Sequence, residues 1–233
     1  RKSAVREQLG IHASHWSYGQ SAVIANITPA CAHANVAYER FTPGGPLALL
    51  PMSDKRCALV WTLRDEQLSS VMALSDTEFL RALQGHFGWR LGRLRQVGVR
   101  HAYPLALTRT HEIVRARLVL VGNAAHTLHP VAGQGFNLGL RDVAALAQVL
   151  VDGMRAARDI GALEVLDAYA AWRRFDHRKV TALTDALVHI FSTDSAPLVA
   201  ARNAGLVATD VVPYLKGALV RQGMGITGRQ PRL

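Results

Sequence analysis

The sequence is poor in cysteine and in long apolar stretches. Its two cysteines, Cys31 and Cys57, are too few for a disulfide framework, and such sparse cysteine is typical of a reducing compartment, so we expect a cytoplasmic location. No stretch reaches the roughly 18 apolar residues that a membrane-spanning helix needs. The first residues lack the apolar region of a secretory signal peptide, and because residue 1 is Arg, we expect a fragment of a longer protein.

Acidic residues are also scarce, with 17 against 27 basic residues and a formal net charge of +10. A basic surface attracts nucleic acid or an anionic membrane. The sequence has no nucleic-acid-binding motif and no basic stripe with interleaved aromatic residues, so we expect no nucleic-acid partner. Weak attraction to anionic lipid is compatible with the charge, as is a simpler interpretation in which the acidic half of a larger protein is missing.

Enough apolar residues are present to form a core, since hydrophobic residues make up 49% of the chain and charged residues 19%. Short alternating or β-branched stretches separated by tight turns predict an antiparallel sheet. Ser75 and Glu78 have the spacing of a capping box and predict the start of a helix. The expected strands span residues 21–27, 36–42, 47–50, 57–62 and 95–105, the turns 43–46 and 53–55, and the first helix about 66–73.

The pattern changes after residue 116. Leu118–Val121 is an unalternated apolar stretch, as in a strand of a parallel sheet buried on both faces. A glycine-rich loop follows at 122–135. We expect a helix from near Phe136 or Asn137 to about 157, and further helices at 163–191 and between Pro197 and Pro213. The tail from Gln222 is expected to be loose.

Residues 121–142 read V-G-N-A-A-H-T-L-H-P-V-A-G-Q-G-F-N-L-G-L-R-D. The small residues Ala124 and Ala125 allow a ligand or another backbone to approach closely, and Gly133 and Gly135 free the backbone just before a helix begins. The unpaired N–H groups and positive dipole end of a helix N-terminus suit a ligand with an anionic or electron-rich edge. The glycines at 133, 135 and 139 do not form a dinucleotide fingerprint, because the last spacing is one residue too long and a loop precedes them.

Taken whole, this segment resembles the second FAD motif of the class A flavin-dependent aromatic hydroxylases, G-D-A-A-H-x-x-x-P-x-x-G-Q-G-x-N. Asn123 departs from it, since the family has an Asp that holds a ribityl hydroxyl of FAD; an Asn can form only neutral hydrogen bonds there. In the family, the helix N–H groups face the N1 and O2 edge of the flavin. The resemblance implies that the cofactor-binding residues are Gly122, Asn123, Ala124, Ala125, Pro130, Gly133, Gln134, Gly135, Phe136 and Asn137.

Other segments extend the resemblance over nearly the whole chain. Residues 3–6 are similar to the end of the family's D-G-x-x-S-x-V-R motif, and Tyr169, Arg173 and Asp176 match its Y-x-x-x-R-x-x-D element. Residues 46–54 and 87–92, together with Gly-Asn at 122–123, resemble the ubiquinone-biosynthesis branch of the family.

The resemblance implies a mixed α/β fold in three parts: the end of an FAD-binding segment at 1–15, an antiparallel-sheet substrate domain at 16–115, and the second FAD motif with C-terminal helices at 116–233. The N-terminal part that binds the ADP end of FAD would be absent, so we expect the fragment alone to be inactive.

The activity implied is hydroxylation of a polyprenylated phenol by an enzyme that uses FAD, with NAD(P)H as reductant and molecular oxygen as co-substrate. Implied partners are the missing N-terminal half and either a membrane surface, peripheral to the inner membrane, or a ubiquinone-synthesis complex. Two alternatives stay open: a sibling hydroxylase acting on another ring position or phenol, and a non-catalytic binding or assembly module.

Histidines are the remaining candidates for chemistry. His126 and His129 are three residues apart, but no Cys, Asp or Glu lies near them in sequence, so we expect no metal site. His129 is interpreted as a loop histidine satisfied by backbone, with a general base as the alternative. Arg173 and Asp176 are expected to pair on one helix for structural reasons, and no catalytic residue is assigned.

Overall fold

The computed structural model describes residues 3–42, 44–192, 195–225 and 230–232, so Pro43 of the predicted turn lies outside the described residues. Over these residues the chain forms a mixed α/β fold. Its helices are α1 (Ala4–Gln8), α2 (Asp65–Met72), α3 (Asp76–Phe87), α4 (Gln134–Arg155), α5 (Leu163–Ser192), α6 (Ala196–Val211) and α7 (Pro213–Gly223). Its strands are β1 (Ala13–Pro29), β2 (Tyr38–Thr42), β3 (Gly45–Pro51), β4 (Cys57–Arg64), β5 (Leu94–Val97), β6 (His101–Thr110), β7 (Val114–Arg115), β8 (Leu118–Val119) and β9 (His126–Thr127). No helix among the described residues is long and apolar enough to cross a bilayer.

The main sheet has the strand order β2-β3-β4-β1-β6-β9, with β5 also paired to β1. Strand β4 runs antiparallel to both β3 and β1, which places Trp61 between Leu47 and Val23. The predicted antiparallel sheet before residue 115 is therefore confirmed. The predicted strand at 95–105 was wrong in one respect, because the chain leaves the sheet at 98–100 and forms two strands, β5 and β6.

The sheet core is apolar because the inward positions of neighbouring strands carry large aliphatic and aromatic side chains. Helix α3 covers them, and its Phe79, Leu83 and Phe87 are completely buried. The predicted capping box at its start is present, with both the Ser75 and the Glu78 hydrogen bonds formed. Burial of such side chains is the main stabilising contribution in this part of the chain.

The chain divides into two compact units. One contains Ser17–Leu105 and Val188–Ala200; the other contains Arg1–Trp16, Ala106–Leu187 and Ala201–Leu233. The first holds the apolar core of the sheet, and the second holds the glycine-rich segment with helices α4 and α7. The functional domain limits suggested by the sequence, at residues 16 and 116, stay predictions.

The apolar stretch at 118–121 differs from its prediction. Leu118 and Val119 form a two-stranded antiparallel sheet with Arg115 and Val114, so the prediction of a parallel-sheet strand was wrong for the described part of the chain. The physical reason is the two-residue turn before Leu118, in which Arg117 has a φ of 64° and returns the chain at once. Of the four residues, only Leu120 is fully buried.

The C-terminal part also differs from its prediction. The single helix expected between the two prolines is helix α6, and Pro213 begins a further helix, α7, where its missing N–H is tolerated. The tail is not loose where it is described. The carbonyl of Gly223 accepts a hydrogen bond from Gln134, and the backbone N–H of Arg232 donates one to Gln148, so both ends of this segment are bound to α4.

Candidate functional site

The glycine-rich segment folds as two short 3₁₀ turns separated by a strand. The first turn is Gly122–Ala124, strand β9 then pairs with Thr108 and Arg109 of β6, and the second turn is Val131–Gly133. Helix α4 begins directly after it at Gln134, two residues earlier than the predicted start near Phe136. We call residues 122–133 the glycine loop.

Gly133 ends the loop in the left-handed conformation, with a φ of 61°, and is the N-cap of α4. This explains the early helix start, because a left-handed glycine can reverse the chain direction without a linker. Gly122 also has a positive φ, of 57°, whereas Gly135 lies inside the first helical turn and does not. The strict requirement for glycine is thus at 122 and 133 rather than at 135.

The N-terminus of α4 begins at a glycine. Among the described residues Gly133 makes no side-chain cap hydrogen bond, and the first turn contains no acidic residue, so no carboxylate within that turn offsets the positive end of the helix dipole. Nothing in the described part of the chain lies within 4 Å of a Cβ placed on Gly122, Gly133 or Gly135. A side-chain atom at these three positions would therefore meet open space.

The loop lies directly on the helix that it precedes. A Cβ on Gly139 would be 3.5 Å from the Cα of Gly122, so the first 3₁₀ turn packs against the second turn of α4. Glycine at 122 and 139 thus permits this close backbone approach. Ala125 is buried in a small apolar cluster with Ile11 and Leu120.

The ten predicted cofactor-binding residues form one continuous loop and helix start. Ala125 and Gln134 are buried, and the other eight are at least partly exposed. The aromatic ring of Phe136 is 78% exposed.

Two polar side chains hold the loop from other parts of the chain. The buried guanidinium of Arg6 donates to the carbonyl of Ala124 over 3.4 Å, and the Thr110 hydroxyl donates to the carbonyl of Ala125 over 2.9 Å. Arg6 belongs to the S-x-V-R segment, so two sequence motifs that are far apart in the chain meet at this loop. Ser3 is the N-cap of α1, and its side chain accepts a hydrogen bond from the backbone N–H of Arg6.

One ring nitrogen of His129 is bonded to backbone, as predicted for this histidine. Its Nδ1 accepts a hydrogen bond from the N–H of Val131 at 3.2 Å, and its ring is almost completely buried. Burial lowers the pKa of His129 to about 4, so the ring is neutral at physiological pH.

A buried charged cluster beside the loop was not predicted. Asp142 of α4 is completely buried, and its Oδ1 accepts hydrogen bonds from Arg173 Nε at 2.6 Å and His177 Nε2 at 2.7 Å, both from α5. Arg173 also donates to Asp176 at 2.6 Å, which confirms the expected structural pair on α5. The second carboxylate oxygen of Asp142 lies 3.6 Å from Nε2 of His126 in the glycine loop.

The environment sets the charge of each group in this cluster. Desolvation raises the pKa of Asp142, but the hydrogen bonds from His177 and Arg173 outweigh it, and the net result is a lowered pKa and an ionised carboxylate. Desolvation, followed by the nearby His177, lowers the pKa of His126 to about 4 although Asp142 acts in the opposite direction. The ring of His126 is therefore neutral and carries one N–H.

The fold also changes the argument about metals. His126, Asp142 and His177 place three ligating atoms within 4.8 Å of one another. An acidic residue therefore lies next to His126 in the fold, although none lies near it in sequence. Arg173 already neutralises the carboxylate, however, which favours an ion-pair network over a cation site. The i, i+4 spacing of Arg173 and His177 was a visible signal of one polar helix face, but nothing local indicated that Asp142 faces it.

Comparison with known proteins agrees with this geometry. Residues 1–184 match the family described as FAD binding domain. The chain belongs to this family.

Relatives of this FAD-binding chain carry names from ubiquinone metabolism. Ubiquinone hydroxylase UbiL of Rhodospirillum rubrum is 44% identical over 225 residues, which cover 97% of this chain and 52% of UbiL. Ubiquinone biosynthesis monooxygenase COQ6 of Mus musculus is 34% identical over 249 residues, covering 92% of this chain and 52% of COQ6. The chain thus spans about half the length of the curated relatives it matches.

A solved structure shares the fold. The p-nitrophenol 4-monooxygenase PnpA of Pseudomonas putida DLL-E4 superimposes with a TM-score of 0.75 at 19% identity, over 98% of this chain and 57% of PnpA. At that identity the similarity establishes the arrangement of strands and helices, and the chemistry has to be argued from the site itself.

Proposed function

We propose that the whole protein is an FAD-dependent monooxygenase that uses NAD(P)H to hydroxylate a polyprenylated phenol in ubiquinone biosynthesis. One observation carries the proposal: the uncapped N-terminus of α4 begins at the left-handed Gly133 and has no acidic residue in its first turn. The sequence in which it occurs matches the flavin motif at every specified position of the glycine loop except Asn123. The names of the relatives UbiL and COQ6 support the pathway.

The residues fit FAD. The backbone of Gly122, Gly133 and Gly135 leaves open space where a Cβ would stand, as a planar ring system in contact with backbone requires. Asn123 is exposed and offers an amide for a ribityl hydroxyl. The remaining cofactor-binding residues are those of the predicted set, Ala124, Ala125, Pro130, Gln134, Phe136 and Asn137, of which Ala125 and Gln134 contribute through backbone because their side chains are buried.

Bound FAD would supply the redox chemistry: it takes two electrons from NAD(P)H and passes them to molecular oxygen, of which one atom enters the phenol ring and the other leaves as water. The task of this chain is to bind, orient and exclude water. The N–H groups of α4 favour negative charge at the flavin edge nearest to them, because their dipoles are fixed before the reaction begins. The sheet unit would bind the phenol ring.

The partners follow from the surface. Helix α4 has an apolar face of exposed side chains, Phe136, Leu140, Val143 and Met154, which lies about a third of a turn around the helix from Asp142. Apolar faces of this size are normally covered, and we propose that the N-terminal half of the same protein covers this one. A polyprenyl substrate is itself lipid-soluble, so we propose a location in the cytoplasm at the inner-membrane surface or in a ubiquinone-synthesis complex.

The test is turnover by the full-length protein. Purified protein with FAD, NAD(P)H and 2-octaprenyl-6-methoxyphenol in detergent should oxidise NAD(P)H and form a product heavier by one oxygen atom, which mass spectrometry under ¹⁸O₂ identifies. Hydroxylation of a related phenol, or at another ring position, would instead support a sibling hydroxylase. Tight FAD binding without product from any phenol would contradict the monooxygenase and favour a binding or assembly module.

A further inference from the structure

We propose that Asp142 is a positioning residue for the flavin site: held by Arg173 and His177, its carboxylate fixes His126 and, through it, the glycine loop. The inference rests on the proposed function, because it assigns to the loop the task of contacting flavin. Asp142 in the middle of α4, and Arg173 and His177 on α5, are not among the ten predicted cofactor-binding residues.

The first support is connectivity. Asp142 is the meeting point of three elements, since it belongs to α4, accepts hydrogen bonds from Arg173 and His177 of α5, and faces His126 of strand β9 in the loop. The rings of His126 and His177 are also in contact, with their centroids 4.6 Å apart. A change at Asp142 therefore reaches the loop through a single contact.

The second support is that the carboxylate is asymmetric. Both hydrogen bonds from α5 go to Oδ1. The other oxygen, Oδ2, and Nε2 of His126 are both buried and have no hydrogen-bond partner among the described residues. Their separation of 3.6 Å is an electrostatic contact rather than a hydrogen bond. Since an unpaired buried polar atom is unfavourable, each atom favours approach of the other.

The third support is where the other hydrogen bonds that hold the loop lie. Arg6 and Thr110 hold the carbonyls of Ala124 and Ala125, before His126, and Gly133 fixes the end. Strand β9 has two residues, and they are paired to β6 on one side. Leu128, directly after the strand, packs against Leu138 of α4, and His126 adds the polar contact from the strand to that helix. Binding sites need positional accuracy of about 0.5 Å, which requires such support from behind.

The charge of Asp142 fits this task. The neutral ring of His126 can present an N–H to the carboxylate, and Arg173 balances the negative charge, so the arrangement is stable without solvent. Asp176 is the matched control position. It is a carboxylate that also accepts from Arg173, at 2.6 Å, but it belongs to α5 and is not among the groups that face His126.

The experiment compares full-length holoprotein carrying Asp142→Asn, Asp176→Asn, His126→Gln or His126→Leu with the wild type. The measurements are the FAD dissociation constant, the visible circular dichroism of bound flavin and the unfolding midpoint. We expect Asp142→Asn and His126→Leu to weaken FAD binding about tenfold, a typical coupling through a buried network, and to change the flavin dichroism. His126→Gln can still donate to Oδ2, and we expect it and Asp176→Asn to stay within about threefold of the wild type.

The possible outcomes distinguish failure of the positioning role of Asp142 from failure of the proposed function. If Asp142→Asn does not fold, the comparison of His126→Gln with His126→Leu decides, because neither removes a charge. Lower unfolding midpoints with unchanged FAD affinity and dichroism in Asp142→Asn and His126→Leu would show a purely structural role and overturn the inference. A wild-type protein that binds no FAD would overturn the proposed function and this inference together.

Discussion

The sheet core and the surroundings of the glycine loop are stabilised in different ways. The core cluster of the sheet unit consists only of apolar side chains, and Trp61 at its centre is 2% exposed. In contrast, the three buried residues with a formal charge among those described, Arg6, Asp142 and Arg173, all lie in the unit that contains the loop. The sheet core is stabilised by burial of apolar surface, and the surroundings of the glycine loop by a connected set of polar contacts.

The difference matters because the two kinds of stabilisation fail differently. An apolar core tolerates repacking when volume is conserved, and the stability lost when a side chain is shortened increases with the number of atoms removed. A buried ion pair contributes little net stability, yet loss of one partner leaves an uncompensated charge. We therefore expect core substitutions to change stability alone, and substitutions near the loop to change stability and cofactor binding together.

The largest effect is expected in the core. Trp61→Ala should lower the free energy of unfolding of the full-length protein by about 3–5 kcal/mol, because it leaves a cavity under α3. FAD bound per folded molecule should stay at the wild-type value. Chemical denaturation and flavin absorbance measure both quantities. Trp89→Ala is the matched control, since the Trp89 side chain is 71% exposed and its loss should change little. Equal losses in the two variants would contradict the assignment of the core.

The second effect tests the ion pair. Arg173→Leu should cost about 3–5 kcal/mol of unfolding free energy because it leaves Asp142 buried and unpaired. Adding Asp142→Leu should restore part of that loss, since the uncompensated charge is removed. Urea denaturation of the single and double variants gives the comparison. A double variant that is less stable by the sum of two independent losses would show that the residues do not act as a pair.

The third effect is a pH dependence of the free energy of unfolding that comes from the ionisation of His126 in the glycine loop. The folded pKa of His126, about 4, is lower than the unfolded value near 6.5, so the unfolded state binds more protons between these pH values. The contribution of this pKa difference to the free energy of unfolding is complete above pH 6.5 and is lost as the pH falls toward 4. We expect the wild type to lose about 2 kcal/mol more than His126→Gln between pH 7 and pH 5. Denaturation curves that shift equally with pH in the two proteins would exclude this ionisation.

The smallest effect is expected at Asn123. Asn123→Ala removes neutral hydrogen bonds only, so FAD affinity should fall by about 0.5–1.5 kcal/mol, equivalent to a few-fold to about tenfold. Asn123→Asp, which recreates the residue of the family motif, should bind FAD at least as tightly as the wild type. Isothermal titration with FAD distinguishes these variants. A loss of several hundredfold in Asn123→Ala would mean that this side chain does more than the neutral contact we assign to it.

The sheet was predictable because its signals are local. Alternation over 36–42 and the capping box at Ser75 are read within a few residues, and the structure places strand β2 and helix α3 there. The secondary-structure prediction was wrong where one local sequence pattern is compatible with two structures. The apolar stretch after Arg117 suits a parallel strand or a tight antiparallel turn, and the sign of one φ angle separates them.

The polar network could not be predicted from local signals. Asp142 and Arg173 are 31 residues apart, on different helices, and become partners only through the way α4 and α5 pack. The extended motif did predict the glycine loop, because its glycines are needed where the backbone turns or approaches another chain segment. It did not identify which glycine has the positive φ, since Gly133 and Gly135 look equivalent in sequence.

The central claim is that the glycine loop and the start of α4 are the cofactor site, and Gly135→Val tests it most directly. Gly135 has ordinary helical backbone and open space where a side chain would stand, so the loss of stability should be small. Gly85 in α3 has the same properties, and Gly85→Val is the matched control. In full-length protein, we predict that Gly135→Val retains an unfolding midpoint close to that of Gly85→Val but binds little or no FAD. A Gly135→Val protein that carries full flavin and hydroxylates normally would contradict the assignment of this site.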